Sequence, residues 1–509
     1  MSAPHYFDHA ATTPVDARVA AAMAPWLGER FGNPAAAHGP GERARAAIEG
    51  AREQVAALIG AEPREIVFTS GATEADNLAI LGLARGRGRG HLVSTRIEHK
   101  AVLEPLRQLQ REGFAVTWLD PDAQGRIDPE VLRQSLRADT RLVSVMHANN
   151  EIGVVQDIAA IGALCRAAGV PLHVDAAQSA GKLPIDVRAL AVDLLSLSAH
   201  KFNGPQGVGA LYVRTPWRTS LQPLQFGGGQ ERGLRAGTLP VHQIVGLGAA
   251  AEIARHEADG ESLRVAQLRD RLLAGIQAAG GVQLNGGSAS RLPGILNLSF
   301  AGVHGEALLA ALPELALSTS AACNADSDET SYVLRAIGCE PLLAQATLRF
   351  SLGRTTTAED VEVASAALLR ELPRLRAVAD LDSLTLPSAV AGAPGWGLGE
   401  AGERATGTQI RWRVQVAGGL IRQADFRAFA SVPVLRACTL LSTRLVGSPA
   451  DSIDLAETAG GVGGPLQWQA ACQVPATQLG ALLRVEDALR LALQASRSQA
   501  GSAGQAAAG

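Results

Sequence analysis

The sequence predicts an α/β protein on a mostly parallel central sheet, with a smaller α+β lobe and a small α+β domain behind it. Three observations predict this. Apolar strand-like runs alternate with helical stretches from about residue 45 to 215, long helices and a few strands follow up to about 378, and a Pro- and Gly-bearing stretch then precedes a last structured segment. A chain of 509 residues exceeds one ordinary core, and its 47% hydrophobic and 19% charged residues suit a packed protein rather than a disordered one.

In order, EIVFTS is followed by EADNLAILGLA, HLVST by AVLEPLRQLQ, and RLVSVMH by DIAAIGALCRAAG, with PLHVDAA and DLLSLSA closing the series. That alternation is the βαβ signature of a parallel sheet covered on both faces. HQIVGLGAAAEIARH and SLRVAQLRDRLLAGIQ read as long helices. LPGILNLSF, ATLRFSLG and AEDVEVASAALLRELPRLRAV complete a smaller lobe. The predicted boundaries are a body over 1–378, divided into a large domain at about 15–255 and a small domain made of the N-terminal segment plus about 256–378. A linker over 379–405, a third segment over 406–495 and a disordered tail over 496–509 follow.

The net charge of -3 gives no bulk reason to bind nucleic acid or an anionic membrane. The start, MSAPHYFDHAATTP, lacks a basic and apolar leader pattern, and no run approaches a spanning helix, so a cytoplasmic location is expected. The five cysteines, Cys165, Cys323, Cys339, Cys438 and Cys472, form no CxxC pair. Neither a disulfide framework nor a resident metal site is expected, and a special cysteine here is a reactive thiol.

The chemistry gathers at predicted strand ends. Lys201 follows the strand LLSLS together with Ser198 and His200, where its amine can form a Schiff base with a carbonyl. Asp175 ends the strand before it, and a carboxylate in such a place calls for a cation; a protonated pyridine nitrogen is one. Ala72 and Thr73 open a helix after EIVFTS, offering backbone N–H groups and a hydroxyl to a phosphate. His99 and Asn150 lie just beyond two further strands. In an open parallel sheet these ends share one crevice.

The strings GNPAAAH, TSGATEADN, EHKAV, NNEIG, HVDAAQSAGK, SAHKFNGPQGVGALY, RAGT, STSAAC, SYVLRAIG and RFSLGR, in this order between residue 5 and about 375, resemble the cysteine desulfurases. These are fold-type I enzymes of aminotransferase class V that depend on pyridoxal 5'-phosphate (PLP). The resemblance implies that Lys201 holds the cofactor, Asp175 pairs with its ring nitrogen, Gln178 lies near its phenolic oxygen and His99 stacks on the ring. It implies that Ala72, Thr73, Ser198 and His200 hold the phosphate, joined by Thr238 from the second subunit of a homodimer, with Asn150 beside the ring. Arg349, assisted by Asn33, is implied to clamp the substrate carboxylate, and Cys323, in the polar stretch STSAACNADSDETSY, to take the sulfur of L-cysteine as a persulfide while L-alanine leaves. Lys201 and His99 are the implied acid–base groups. A selenocysteine lyase or a transaminase of the same fold is the alternative. The acceptor is expected to be a protein such as an iron-sulfur scaffold or a tRNA-thiolation protein.

QIRWRVQV, LIRQADFRAFASV, LLSTRLVGSPADSI and VEDALRLAL resemble, more faintly, the iron-sulfur scaffold proteins that receive this sulfur. The resemblance puts Thr406, Ser431 and Ala481 where a working scaffold has cysteine ligands, Thr408 where it has an acid and Gly480 where it has histidine. None of these is a thiolate for soft iron. Cys438 and Cys472 fall off the ligand positions, so a docking or regulatory module without a cluster is expected.

Overall fold

The computed structural model describes residues 3–319, 330–386, 395–450 and 462–506, so Cys323 and the middle of the expected linker lie outside the described residues. After β1 (His5–Tyr6) the large domain supplies β2 (Ile66–Thr69), β3 (His91–Thr95), β4 (Ala115–Leu119), β5 (Thr140–Ser144), β6 (Leu172–Asp175), β7 (Leu194–Ser198) and β8 (Gly209–Val213). They form one sheet in the order β2-β8-β7-β6-β5-β3-β4. β3 to β7 run parallel, whereas β8 is antiparallel to both β7 and β2. The alternating runs predicted these strands but not that reversal, because periodicity reports the element and not its direction.

Both faces of the sheet are buried. Val93, Val143 and Leu195 pack into one core, while their neighbours Leu92, Leu142 and Leu194 pack into another on the opposite face. Successive strand side chains point to opposite faces, which is why these strands read as unbroken apolar runs. From β3 the chain passes to β4 on one side and β5 on the other. That switch opens a crevice at the strand ends, with His99 after β3 and Asn150 after β5.

The two helices expected over residues 240–280 are a single one, Val241–Gln277, which crosses the expected domain boundary at 255. The small lobe holds β9 (Val282–Leu284), β10 (Ile295–Phe300), β11 (Leu315–Ala316), β12 (Ser318–Thr319) and β13 (Thr347–Ser351). Its antiparallel sheet, β12-β13-β10-β9, buries Leu296, Leu298, Phe300 and Phe350, and β1 joins the lobe by pairing with β11.

The third domain begins earlier than residue 406. β14 (Trp396–Glu403), inside the expected linker, pairs with β15 (Thr408–Ala417), which pairs with β16 (Leu420–Phe429) in an antiparallel meander. Its glycines suggested a linker but serve packing. A Cβ at Gly397 would lie 1.9 Å from the carbonyl oxygen of Ala492, and one at Gly399 2.2 Å from that of Ala488, so glycine lets the helix Leu479–Ala506 lie against the strand. That helix runs to Ala506, which corrects the expectation of a disordered tail from 496, in keeping with the high helix propensity of its alanines. Trp412 and Trp468 are fully buried in this domain's core.

The domain is seated on the small lobe. Phe429 packs with Ala379, Leu381 and Leu342, the His304 ring meets it edge-on at 5.4 Å, and the Arg404 guanidinium stacks over it at 5.5 Å. Arg404 and Arg411 donate to the carbonyls of Ala379 and Leu381 at 2.6 and 2.7 Å, and Arg413 to that of Thr385 at 2.8 Å. A buried phenyl ring under one arginine, with two more arginines bound to the backbone beside it, anchors this seam.

Candidate active site

The crevice is a cavity of about 580 Å³ whose wall includes Ala72, Thr73, His99, Asn150, Asp175, Gln178, Ser198, His200, Lys201 and Arg349. Strand ends deliver four of them. Asp175 closes β6, Ser198 closes β7 with Lys201 in the single turn after it, and Thr73 enters the helical run that follows β2. Arg349 comes from β13 of the small lobe, so the cavity lies between the two lobes of the body.

Lys201 Nζ donates to the carbonyls of Ala10 and Ala11 at 2.6 and 2.8 Å, which points the amine into the crevice from the N-terminal segment. The imidazole of His99 caps the helix Lys100–Arg111, its Nδ1 accepting from the Ala101 N–H at 3.1 Å. That bond leaves the proton on Nε2, and burial lowers the ring's pKa, so His99 is a neutral donor at neutral pH. Burial also lowers His200 to about 4. Its Nδ1 lies 3.1 Å from Thr12 Oγ1. Gln178 is fixed at both ends of its amide, Nε2 donating to Ala10 O at 2.9 Å and Oε1 facing Lys182 Nζ at 3.5 Å.

Charge is the cavity's strongest feature. Burial raises Asp175 to about 6, helped by the nearby Asp76, which burial raises to about 7. Asp76 Oδ1 faces the buried His173 Nε2 at 3.5 Å, too long to satisfy the carboxyl. Two buried carboxyls that resist ionisation are what a site prepared for a cation looks like before the cation is counted. Arg349 is held by Asp8 at 2.8 Å and by the Asn150 carbonyl at 2.9 Å, yet its Nε and the Asn150 side-chain oxygen are buried without partners among the described residues.

Residues 5–363 match the aminotransferase class-V family. The cysteine desulfurase IscS of Methylococcus capsulatus is 54% identical over 385 residues, spanning 75% of this chain and 95% of that protein, and that of Vibrio cholerae strain M66-2 is 53% identical with 75% and 96% covered. The chain belongs to the cysteine desulfurases. Among solved structures, a NifS-like protein superposes with a TM-score of 0.69 at 38% identity, covering 73% of this desulfurase and all of that chain. The structure titled SspA in complex with cysteine does so at 0.63 and 42%, covering 69% and 99%.

Cysteine desulfurases depend on PLP, and the unsatisfied atoms of this chain fit it. A pyridinium supplies the cation that Asp175 lacks, and the hydroxyl and N–H groups around Thr73, Ser198 and His200 suit a phosphate. Asn33 and Thr238, the latter expected from a second subunit, are not on this cavity's wall. Asn33 is exposed, its side-chain oxygen turned back to accept from the Ala35 N–H at 3.0 Å, so its expected help to Arg349 does not occur here; Asp8 and Asn150 hold that arginine instead. Thr238 is exposed on a separate hollow with Phe226 and Gly237. Cys323 lies outside the described residues. Sequence reasoning missed Asp8, Ala10 and Ala11, which reach the site only through tertiary folding. It also missed Asp76, which sits in the quoted string TSGATEADN and reads there as a helix residue.

The cysteines Cys165, Cys339, Cys438 and Cys472 are buried, and burial raises each thiol, Cys165 to about 12. None of these four is a thiolate at neutral pH. A second cavity, of about 570 Å³, lies in the seam between the small lobe and the third domain. Thr406, Thr408, Ser431, Gly480 and Ala481 all line it, as do Thr319 and Thr330, which bracket the segment carrying Cys323.

Proposed function

We propose that this desulfurase takes L-cysteine at the crevice, keeps its sulfur on Cys323 as a persulfide and releases L-alanine, and that its third domain occupies the face where a separate acceptor protein sits on an unfused enzyme. The observation that carries the chemistry is the convergence of Lys201, Asp175 and Arg349 on one cavity. Bound PLP supplies an electron sink for the substrate's carbon atoms.

The chain's own residues do the rest. Asp175 keeps the ring nitrogen charged. Arg349 binds the substrate carboxylate through its planar fork, and its unpartnered Nε gains an acceptor. Lys201 Nζ, aimed by Ala10 and Ala11, takes the proton from the substrate Cα, and neutral His99 orients the ring and holds a donor proton on Nε2. Such proton transfers contribute roughly 10² to 10⁴ each. The Cys323 thiolate attacks the substrate sulfur; the carbon–sulfur bond breaks, its electron pair stays with the carbon fragment, and the fragment is protonated and leaves as alanine. The raised thiols of the four buried cysteines support Cys323 as the nucleophile.

The working form is a cytoplasmic homodimer in which Thr238 of the partner subunit completes the phosphate site. The sulfur goes on to iron-sulfur assembly or to thiolation of tRNA or cofactors. Cys323→Ala tests the assignment: the yellow cofactor remains and alanine formation from cysteine falls to background, whereas undiminished turnover overturns it.

A further inference from the structure

Asp76 stands on the crevice wall together with Asp175 and has no part in the chemistry above. It comes from the helix Ala72–Asn77 and is 0% exposed. Its Oδ1 faces His173 Nε2 at 3.5 Å, too long to satisfy it. The nearby Ser196 hydroxyl is already shared with His173 Nε2 at 3.0 Å, and the other nitrogen of that imidazole is bound to Ser144 Oγ at 2.8 Å. His173 and Asp175 are two residues apart on β6, so the network leads from Asp76 along one face of that strand to Asp175.

The titratable groups around Asp76 are Asp175 and His173 on β6, Glu98 and His99 just ahead of the helix Lys100–Arg111, and Glu74 on its own helix, which Arg235 pairs at 2.9 Å. Lys201, His200 and Arg349 share the cavity wall, and Arg349 is already paired with Asp8. β7 and β8, which pack against the helix of Asp76, carry no carboxylate, imidazole or amine. A carboxyl shut away in this manner opposes folding once it ionises, and burial raises Asp76 to about 7. Asparagine has nearly the same shape and lacks that cost. An acid kept in such a place calls for a cation that the fold itself does not hold.

We propose that Asp76 is a positioning residue that acts through Asp175, adding a second negative charge beside it once the ring nitrogen of the cofactor is in place. This rests on the reading of Asp175 as the partner of that nitrogen. Below about pH 7 Asp76 is neutral and leaves the pair of Asp175 and ring nitrogen as it is; above that pH it ionises and strengthens the hold on the pyridinium. In the cofactor-free protein there is no such cation, and the same ionisation works against the fold. The one group thus lowers the stability of the empty site and raises the affinity of the site for its cofactor.

The test measures the dissociation constant of PLP and the Tm of the cofactor-free full chain for the unsubstituted protein, Asp76→Asn, Asp175→Asn and the double variant. Asp76→Asn binds PLP about tenfold more weakly at about pH 8.5 and as tightly as the unsubstituted protein at about pH 5.5, the size expected when neighbouring charges couple by one pKa unit. In the Asp175→Asn background the same substitution changes nothing. Without cofactor, Asp76→Asn gains in Tm over the unsubstituted protein between about pH 4 and 7 and keeps that lead above, because it removes a group raised from 3.8 to about 7 whose ionisation opposes folding. A purely structural role lowers stability and affinity together at every pH. A loss of affinity that is independent of pH, or that persists undiminished with Asp175→Asn, overturns the inference. If Asp175→Asn binds PLP as tightly as the unsubstituted protein, the reading of Asp175 itself fails; if it binds weakly while Asp76→Asn matches the unsubstituted protein at every pH, only the role of Asp76 falls.

Discussion

Two cavities of this protein have nearly the same volume, about 580 and 570 Å³, and different chemistry. The crevice at the sheet ends gathers Lys201, Asp175, Asp76, His99 and Arg349 from two lobes and a terminal segment, and leaves several of their polar atoms unsatisfied. The seam cavity presents Thr406, Thr408, Ser431, Gly480 and Ala481 beside His304 and the exposed Glu306 and Arg484, with no thiol among its described residues. Volume makes room for a ligand, and the buried charge around it decides whether bonds are broken there.

The largest effect that breaks this comparison is at Lys201. Lys201→Ala abolishes the cofactor's protein-bound absorbance and lowers alanine formation by at least about 10⁴-fold, since it removes the Schiff-base amine and the base together; absorbance and turnover on one preparation check it. Arg349→Lys keeps the charge and loses the fork. It raises the KM for cysteine by roughly 10- to 100-fold with a smaller change in kcat, as expected for an interaction worth about 1.5–3 kcal/mol.

The sheet and most of the crevice were legible in the sequence because unbroken apolar runs mark strands buried on both faces and because polar residues at their ends have little structural use there. Asp8, Ala10 and Ala11 were illegible. They meet Arg349 and Lys201 across 341, 191 and 190 residues, and no local pattern encodes such contacts. β14 was hidden by its own packing, since Gly397 and Gly399 read as linker when they are there to admit the carbonyls of a helix. The reversal of β8 was hidden because a strand run in either direction has the same period.

A smaller effect sharpens the electrostatic half of the comparison. In the cofactor-free enzyme Asp175 is raised from 3.8 to about 6, so the fold favours its protonated form, and the stability this contributes is present at low pH and lost as pH rises through about 6. Asp175→Asn therefore gains in Tm over the unsubstituted apoenzyme as pH goes from about 4 to 6 and holds a constant lead above that. Thermal denaturation of the two apoenzymes across this range checks the sign. PLP reverses the advantage, because only the carboxylate pairs with the ring nitrogen.

The central claim is that the fused domain covers the face beside the sulfur-bearing segment. Its direct test is persulfide transfer from the enzyme to a separate iron-sulfur scaffold protein, compared between the full chain and a 1–385 truncation, which removes the third domain. The account predicts that the truncation transfers at least about tenfold faster while forming its persulfide at the same rate. Equal transfer by the two forms contradicts it.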